Sequence, residues 1–474
     1  MKTLNQQQMA GFENFTEDLM KGSNARGLAV SVFHRDGSIL YEKFFGCRDE
    51  ASGAPIDEDT FFGIASVSKS FTTLAILQLA EQGIISLDDP VAKYVTEYND
   101  RNRTEPVRIW HLLCHSGGYF PLPRILLSNV AKEMGIHEDP DNEYAVRTDL
   151  AEEGIRRVAG RLADQTRFVG RPGELMSYCN DGFAVLSDII RRKGGCRSYA
   201  EYLEEHVFKP LGMTRTTVSF LRPAQDPNTA TLYTLEKGQW TADHNYENDA
   251  FVLHGGGGLK STLADLRKYL LMYLNDGRAA DGTRLLSSHL LREMRKPRQH
   301  VKPGVSYAYG LEVFWMGDAQ CVCHGGSLPG VSSNVAWSPE GEIGVIVLCN
   351  TMDVPVYAVS DAIMRLYLGL PMLEERQEHT PCEWPEAFKA EIVGDYISGE
   401  GDRFRLEYDE NGGIRMFDED KKVEMMPIYR DEGLVRRKYS DTYVQFLMDE
   451  DGHVYAARYG SRVFPKNVTE GRRS

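Results

Sequence analysis

Ser66 and Lys69 stand three residues apart in Ser66-Val67-Ser68-Lys69, where an irregular segment over 61–65 gives way to a helical run over 71–80. A serine hydroxyl is a poor nucleophile near neutral pH and needs a base beside it. Three residues is close to one helical turn, so the two side chains leave the same side of a helix. A partly desolvated lysine there can lose its own proton and accept one from Ser66. The first helical turn also aims free N–H groups at an oxyanion forming on a bound carbonyl. The S-x-x-K pattern occurs once in the chain. It points to nucleophilic attack on a carbonyl.

A second group is Tyr178-Cys179-Asn180. It lies between a turn-rich stretch, Gly170-Arg171-Pro172-Gly173-Glu174, and an apolar helical run over 183–190. Residues two apart on an extended backbone face one cavity. A phenol can relay a proton when a cation lowers its pKa, and Lys69 is the expected cation. The Asn180 amide can donate to a substrate carbonyl while accepting from Lys69. Tyr246-Glu247-Asn248 and Tyr273-Leu274-Asn275 share the spacing. The first lies in a polar loop, and the second in a helical run where a core tyrosine is expected.

A third group is His324-Gly325-Gly326, predicted to end a short strand over 321–323 and followed by strands over 331–337 and 343–348. Glycines at a strand edge admit a ligand's backbone, and the N–H of Ser327 is placed to complete an oxyanion hole. His254-Gly255-Gly256 runs into further glycine and then helix. His115-Ser116-Gly117 follows a helical stretch. Neither is expected to end a strand.

In this order and with these flanks, the three groups resemble the serine β-lactamase and penicillin-binding-protein superfamily. The resemblance is to its class C-like branch of β-lactamases, D-stereospecific peptidases, esterases and acyltransferases. It runs over roughly residues 10 to 370 and takes in Leu87-Asp88-Asp89-Pro90-Val91, the segment 109–118 and the segment 256–262. The resemblance implies that Ser66 is acylated, that Lys69 and Tyr178 form the acid–base pair, and that Asn180 contacts substrate. It implies an oxyanion hole from the N–H groups of Ser66 and Ser327, beside His324, Gly325 and Gly326. β-Lactamases usually carry lysine where this chain has His324, as many esterase and peptidase relatives do. Cys179 replaces a small polar residue and is expected to pack inward.

The implied fold class is α+β: an antiparallel sheet flanked by helices plus a helical subdomain, over 1–372, then a small all-β region. A helix is expected over 3–22 and a hairpin of strands over 27–33 and 39–45. An insert over 119–170, with a helix from about 149 to 165, is expected to border the pocket, with Phe120, Leu122 and Ile125 as lining residues. A charged, proline-bounded linker over 373–385 leads to short strands about every ten residues over 386–474, an antiparallel meander or barrel. That region resembles the lipocalin-like domain of some peptidase and esterase relatives, where it can reach toward the active site or mediate oligomerisation. It carries no catalytic constellation of its own.

The 474 residues suffice for a large core. A net charge of −15, from 54 Lys and Arg against 69 Asp and Glu, argues against nucleic acid or an anionic membrane as partner. No apolar run is long enough to span a bilayer, and no signal-like segment opens the chain. Eight scattered cysteines fit neither a disulfide framework nor a zinc site, so reduced thiols and a cytoplasmic location are expected, with no cofactor and no metal. The expected function is a serine hydrolase acting through an acyl-enzyme on a small ester, amide or peptide. Acyl transfer to a small alcohol or amine is the alternative. A true β-lactamase and a silent binding protein on the same fold are further readings.

Overall fold

The computed structural model describes residues 3–99, 101–123, 125, 127–135, 143–246 and 254–467. Its centre is an eight-stranded antiparallel sheet. From edge to edge the strands are Ile39–Gly46, Gly27–His34, Ile343–Cys349, Val331–Ser338, Ala319–Leu328, Glu312–Met316, Val305–Tyr307 and Gln299–Lys302. The three strands Gly27–His34, Val331–Ser338 and Ile343–Cys349 are buried almost throughout. Helices cover both of their faces, which is why their sequences are nearly continuous apolar runs rather than alternating ones. Gln6–Ser23 and Val356–Leu368 pack on one face around Phe12, Val345 and Ile363. Leu263–Leu274 packs on the other.

Behind Leu263–Leu274 lies the helix Ser68–Glu81, with Phe71 stacked on Tyr269 at 3.7 Å between ring centroids. Every residue from Ser68 to Leu79 is buried. A helix enclosed on all sides places any ionisable residue in it at low dielectric. Lys69 is in its first turn.

The strands over 27–34 and 39–46 and the helix of residues 6–23 agree with the sequence reading. The strand carrying His324 does not end at Cys323. It runs from Ala319 to Leu328, and Gly325, Gly326 and Ser327 pair with Asn334, Ser333 and Ser332. Glycine weakens a strand locally, but pairing with a fully buried neighbour carries this one through. The insert helix spans Glu143–Ala163, starting earlier than expected, and a further short helix covers Leu127–Met134. Ile125 is buried in the main core, and Leu122 packs against it. Phe120 is buried with Val169, Leu447, Ala456 and Val463, so it seals a contact with the C-terminal strands.

Residues 394–465 form two antiparallel sheets. The first holds Gly394–Ile397, Arg403–Tyr408, Ile414–Asp418 and Lys421–Val423. The second holds Met425–Tyr429, Glu432–Arg436, Asp441–Met448, Val454–Tyr459 and Arg462–Pro465. Tyr396, Phe404, Met416, Val444 and Phe446 form their shared core. A bridge between Tyr396 and Lys466 ties the first strand to the end of the last. The Tyr455 hydroxyl donates to the Val169 carbonyl at 2.7 Å, and Arg458 donates to the His300 carbonyl at 3.0 Å. Among the described residues no helix is long and apolar enough to cross a membrane.

Candidate active site

Ser66 lies in a single helical turn, Ala65–Val67, just before Ser68–Glu81. Ala65 has φ +45°, a left-handed conformation that disfavours a residue with a Cβ. The turn is held from several sides. Ser68 Oγ donates to the Ala65 carbonyl at 2.6 Å and accepts from Leu259 N–H at 3.0 Å. Ser333 Oγ donates to the Ile64 carbonyl at 2.8 Å. Strain of order ~1–3 kcal/mol is tolerated where the surroundings fix the conformation this firmly.

Lys69 is fully buried, and its Nζ lies 3.0 Å from Ser66 Oγ, 2.9 Å from Asn180 Oδ1 and 2.5 Å from the Gly256 carbonyl. Burial holds its pKa well below the usual lysine range, and the charge of Arg462 pushes the same way. A neutral amine has two N–H groups and one lone pair. The Gly256 carbonyl and Asn180 Oδ1 accept only. When the amine is neutral, its two N–H groups go to them and its lone pair faces the Ser66 hydroxyl.

Tyr178 reaches the same hydroxyl from the loop before the helix Asn180–Lys193. It is buried, and burial raises its pKa, while the Ser66 side chain's hydrogen bond and the Arg462 charge oppose that rise. Lys69 Nζ lies 4.8 Å from the Tyr178 ring centroid. The two other Tyr-x-Asn tyrosines are elsewhere. Tyr246 donates its hydroxyl to the Ala230 carbonyl at 2.6 Å, and Tyr273 bonds Tyr269 at 2.8 Å within the core. Glu247 and Asn248 lie outside the described residues.

The strand Ala319–Leu328 passes directly over Ser66. A Cβ on Gly326 would stand 2.5 Å from the Ile64 carbonyl oxygen and 2.9 Å from the Ser66 nitrogen. Only glycine lets the strand come this close. Ser327 follows at the open end, its Oγ 3.4 Å from Asp353 Oδ1. Gly325 points to the opposite side of the sheet, toward Asn334.

His324 is turned inward and almost fully buried. Its Nε2 lies 2.9 Å from the Tyr307 hydroxyl and its Nδ1 lies 2.6 Å from the Gly325 carbonyl. Burial lowers its pKa to about 3, helped by the charge of Lys69. His115 completes this cluster. Its ring lies over Tyr178 at 4.1 Å, its Nδ1 accepts from Cys179 N–H at 3.1 Å, and its Nε2 meets the Tyr307 hydroxyl at 3.2 Å. His115 follows a helical stretch rather than a strand, so its sequence context does not mark it, and Tyr307 carries no local signal. Cys179 is buried, as expected.

Two residues of the C-terminal region, Glu400 from a turn and Arg462 from a strand, also enter the site. Glu400 Oε1 accepts from Asn180 Nδ2 at 2.8 Å, and Glu400 Oε2 accepts from Arg462 Nε at 2.7 Å. The Arg462 guanidinium sits 5.0 Å from the Tyr178 ring centroid. Tyr178 N–H donates to the Ser461 carbonyl at 2.8 Å. Among the described residues no cluster of His, Cys, Asp and Glu is arranged to hold a metal ion.

The beta-lactamase family model matches residues 12–368. Protein Rv1367c of Mycobacterium tuberculosis is 29% identical over 293 residues, covering 57% of this chain and 68% of that one. Esterase EstB of Burkholderia gladioli is 34% identical over 190 residues, covering 39% of this chain and 45% of EstB. The octameric penicillin-binding protein homologue from Pyrococcus abyssi superposes with a TM-score of 0.64 at 26% identity. That match covers 96% of this chain and 99% of the other, so it includes the C-terminal strands.

Proposed function

The chain belongs to the beta-lactamase family, and we propose that it is a serine hydrolase acting through an acyl-enzyme on ester or amide bonds of small molecules or peptides. The observation that carries this reading is the buried Lys69 Nζ, 3.0 Å from Ser66 Oγ with its other two contacts to acceptors. Lys69 takes the Ser66 proton as Oγ bonds to the substrate carbonyl carbon. The carbonyl electron pair moves to oxygen, and that oxyanion is held by the N–H groups of Ser66 and Ser327. The lowered Lys69 pKa and the raised Tyr178 pKa suit a base and a proton donor respectively. Tyr178 passes its proton to the departing alkoxide or amine as the carbonyl re-forms, and recovers one from Lys69. Water then attacks the acyl-enzyme by the same steps in reverse roles.

Esters and simple amides are the preferred class over penicillins and cephalosporins. A β-lactam brings a carboxylate to the third motif, where His324 is neutral and both ring nitrogens are already engaged. A charge-assisted bond missing there is worth roughly 1.5–3 kcal/mol, about ten- to a hundredfold in acylation. The esterase activity named for the Burkholderia gladioli relative agrees with this choice.

The test is intact-mass analysis during turnover of p-nitrophenyl acetate and of nitrocefin, with kcat/KM for each. An acetyl adduct mapping to Ser66, absent in Ser66→Ala, is expected, with the ester turned over faster. An adduct that persists in Ser66→Ala overturns the mechanism. Faster nitrocefin hydrolysis overturns the substrate preference. Product carrying an added amine in place of water, when small amines are supplied, reassigns the activity to acyl transfer.

A further inference from the structure

Glu400 sits at the tip of the tight reversal that joins Gly394–Ile397 to Arg403–Tyr408. Ser398 N–H donates to the Asp402 carbonyl at 2.8 Å, and Gly401 has φ +103°. The reversal is pressed against the insert. A Cβ on Gly399 would stand 2.1 Å from the Pro121 carbonyl oxygen. Arg462 begins the last strand, one residue beyond the Ser461 carbonyl that accepts from Tyr178 N–H. The side chain of Glu400 is 6% exposed and that of Arg462 is 29% exposed. A bridge this enclosed is costly to desolvate and is weak evidence of a stabilising role alone. Its position suggests another task.

An asparagine amide has two ends of nearly the same shape, one donating and one accepting. Flipped, Asn180 would aim its NH2 at Lys69. That NH2 would bond the lone pair of the neutral amine, the same lone pair that must take the Ser66 proton. The direction is fixed by the far end of the amide, where a carboxylate can accept and cannot donate. We propose that Glu400 and Arg462 are positioning residues for the Ser66–Lys69 pair: Glu400 fixes the Asn180 amide with its oxygen toward Lys69, and Arg462 holds Glu400 in place. The inference rests on the serine-hydrolase reading and adds that the C-terminal strands complete the reactive site.

The pair also has an electrostatic signature. Lys69 is faced by Tyr178 and Cys179 from the loop before Asn180, by His115, by His324 on the sheet, and by Glu400 and Arg462. Asp181, buried beside Glu400, has a carboxyl raised to about 7 by desolvation and by Glu400. Of the C-terminal charges, Arg462 lowers the Lys69 pKa and Glu400 raises it. Lys69 serves as base only when neutral, so a higher pKa moves the acid limb of reactivity to higher pH. Neutralising Glu400 therefore moves the limb to lower pH, and neutralising Arg462 moves it to higher pH.

The experiment measures the rate of Ser66 labelling by a fluorophosphonate probe against pH in the full chain, with melting temperature recorded for each variant. Labelling that survives in Ser66→Ala would remove the underlying reading rather than this one. Glu400→Ala is expected to slow labelling about ten- to a hundredfold at every pH, the scale of a misplaced reacting group. Glu400→Gln has one acceptor oxygen for the two donors Asn180 Nδ2 and Arg462 Nε, so it should recover only part of the plateau rate, with its acid limb shifted down. Arg462→Gln should shift the limb up. The proposal is overturned if Glu400→Ala labels at the wild-type rate. It is also overturned if Glu400→Gln and Arg462→Gln move the limb in the same direction or leave it in place. A loss of melting temperature with an unmoved limb would reduce the pair to a structural contact.

Discussion

The Tyr307 hydroxyl stands 2.9 Å from Nε2 of His324, at the middle of a buried chain whose two ends fix where its protons lie. At one end, His115 Nδ1 accepts from the backbone N–H of Cys179, so its proton is on Nε2. That proton is donated to the Tyr307 oxygen. Tyr307 then donates to His324 Nε2, and His324 Nδ1–H donates to the Gly325 carbonyl, which can only accept. Each proton in the chain then has one acceptor, and both histidines are neutral. The chain backs Tyr178 and the strand over Ser66 without placing a charge there.

His324→Gln should therefore leave the acid limb of kcat/KM for p-nitrophenyl acetate unchanged. The His324 pKa is lowered to about 3, so it is already neutral across the ordinary assay range. A glutamine can accept from Tyr307 in its place, and turnover should stay within about tenfold of wild type. His324→Ala leaves the Tyr307 proton without an acceptor and should lose more than His324→Gln. A limb displaced by the glutamine variant would show that His324 carries charge during catalysis.

Stability should fall on the acid side for the same reason. An unfolded histidine takes a proton near pH ~6.5, whereas folded His324 resists until about 3. Below pH 6.5 the unfolded state binds more protons, so this contribution to stability is full above that pH and lost as pH falls toward 3. The slope for one such group is about 1.4 kcal/mol per pH unit. His115, also lowered by burial, adds in the same direction. Denaturant melts at pH 7, 6, 5 and 4 should show a shallower decline for His324→Gln than for wild type. Parallel curves would contradict the neutral assignment.

What was legible in the sequence follows from chain distance. Ser66 and Lys69 share a helical turn, and Tyr178 and Asn180 share a short loop, so spacing alone brought each pair together. The glycines after His324 mark it in the sequence, but they also make its strand read as stopping at Cys323. Its continuation depends on pairing with Val331–Ser338, a tertiary cause. Glu400 and Arg462 lie more than 200 residues beyond Asn180 and match no local pattern. The packing of the C-terminal strands on Phe120 and Val169, together with the Tyr178 N–H to Ser461 carbonyl bond, delivers them to the site. His115 and Tyr307 were unreadable for a related reason, since a buried polar chain is defined by its partners and none is adjacent in sequence.

The three Tyr-x-Asn tyrosines should separate cleanly by measurement. Lys69→Ala and Tyr178→Phe are each expected to reduce kcat by roughly two to four orders of magnitude, the usual scale of lost acid–base catalysis. Tyr246→Phe removes a buried hydroxyl bonded to the Ala230 carbonyl and should cost about 1 kcal/mol of stability with kcat nearly unchanged. Tyr273→Phe should behave the same way, because its partner is Tyr269. A loss of kcat in Tyr246→Phe to match that of Tyr178→Phe would show that the wrong tyrosine has been assigned.

Gly326→Ala tests whether the strand must touch the Ser66 turn. The added Cβ would fall 2.5 Å from both the Ile64 carbonyl oxygen and Ser333 Oγ, and 2.9 Å from the Ser66 nitrogen. None of these is the free end of a flexible chain. Two are backbone atoms, and Ser333 Oγ is held by its bond to Ile64. The strand must therefore move away from Ser66, carrying the Ser327 N–H with it. The proposed oxyanion hole should open while Lys69, Tyr178 and Asn180 stay in position. Loss of one oxyanion donor usually costs about a hundred- to a thousandfold in kcat. The variant should show that loss with p-nitrophenyl acetate and little change in KM, because the donor matters most once charge has developed on oxygen. Gly325→Ala is the control, since its Cβ meets nothing closer than 3.7 Å on the far side of the sheet. Equal activity of the two alanine variants would remove the oxyanion role from this strand.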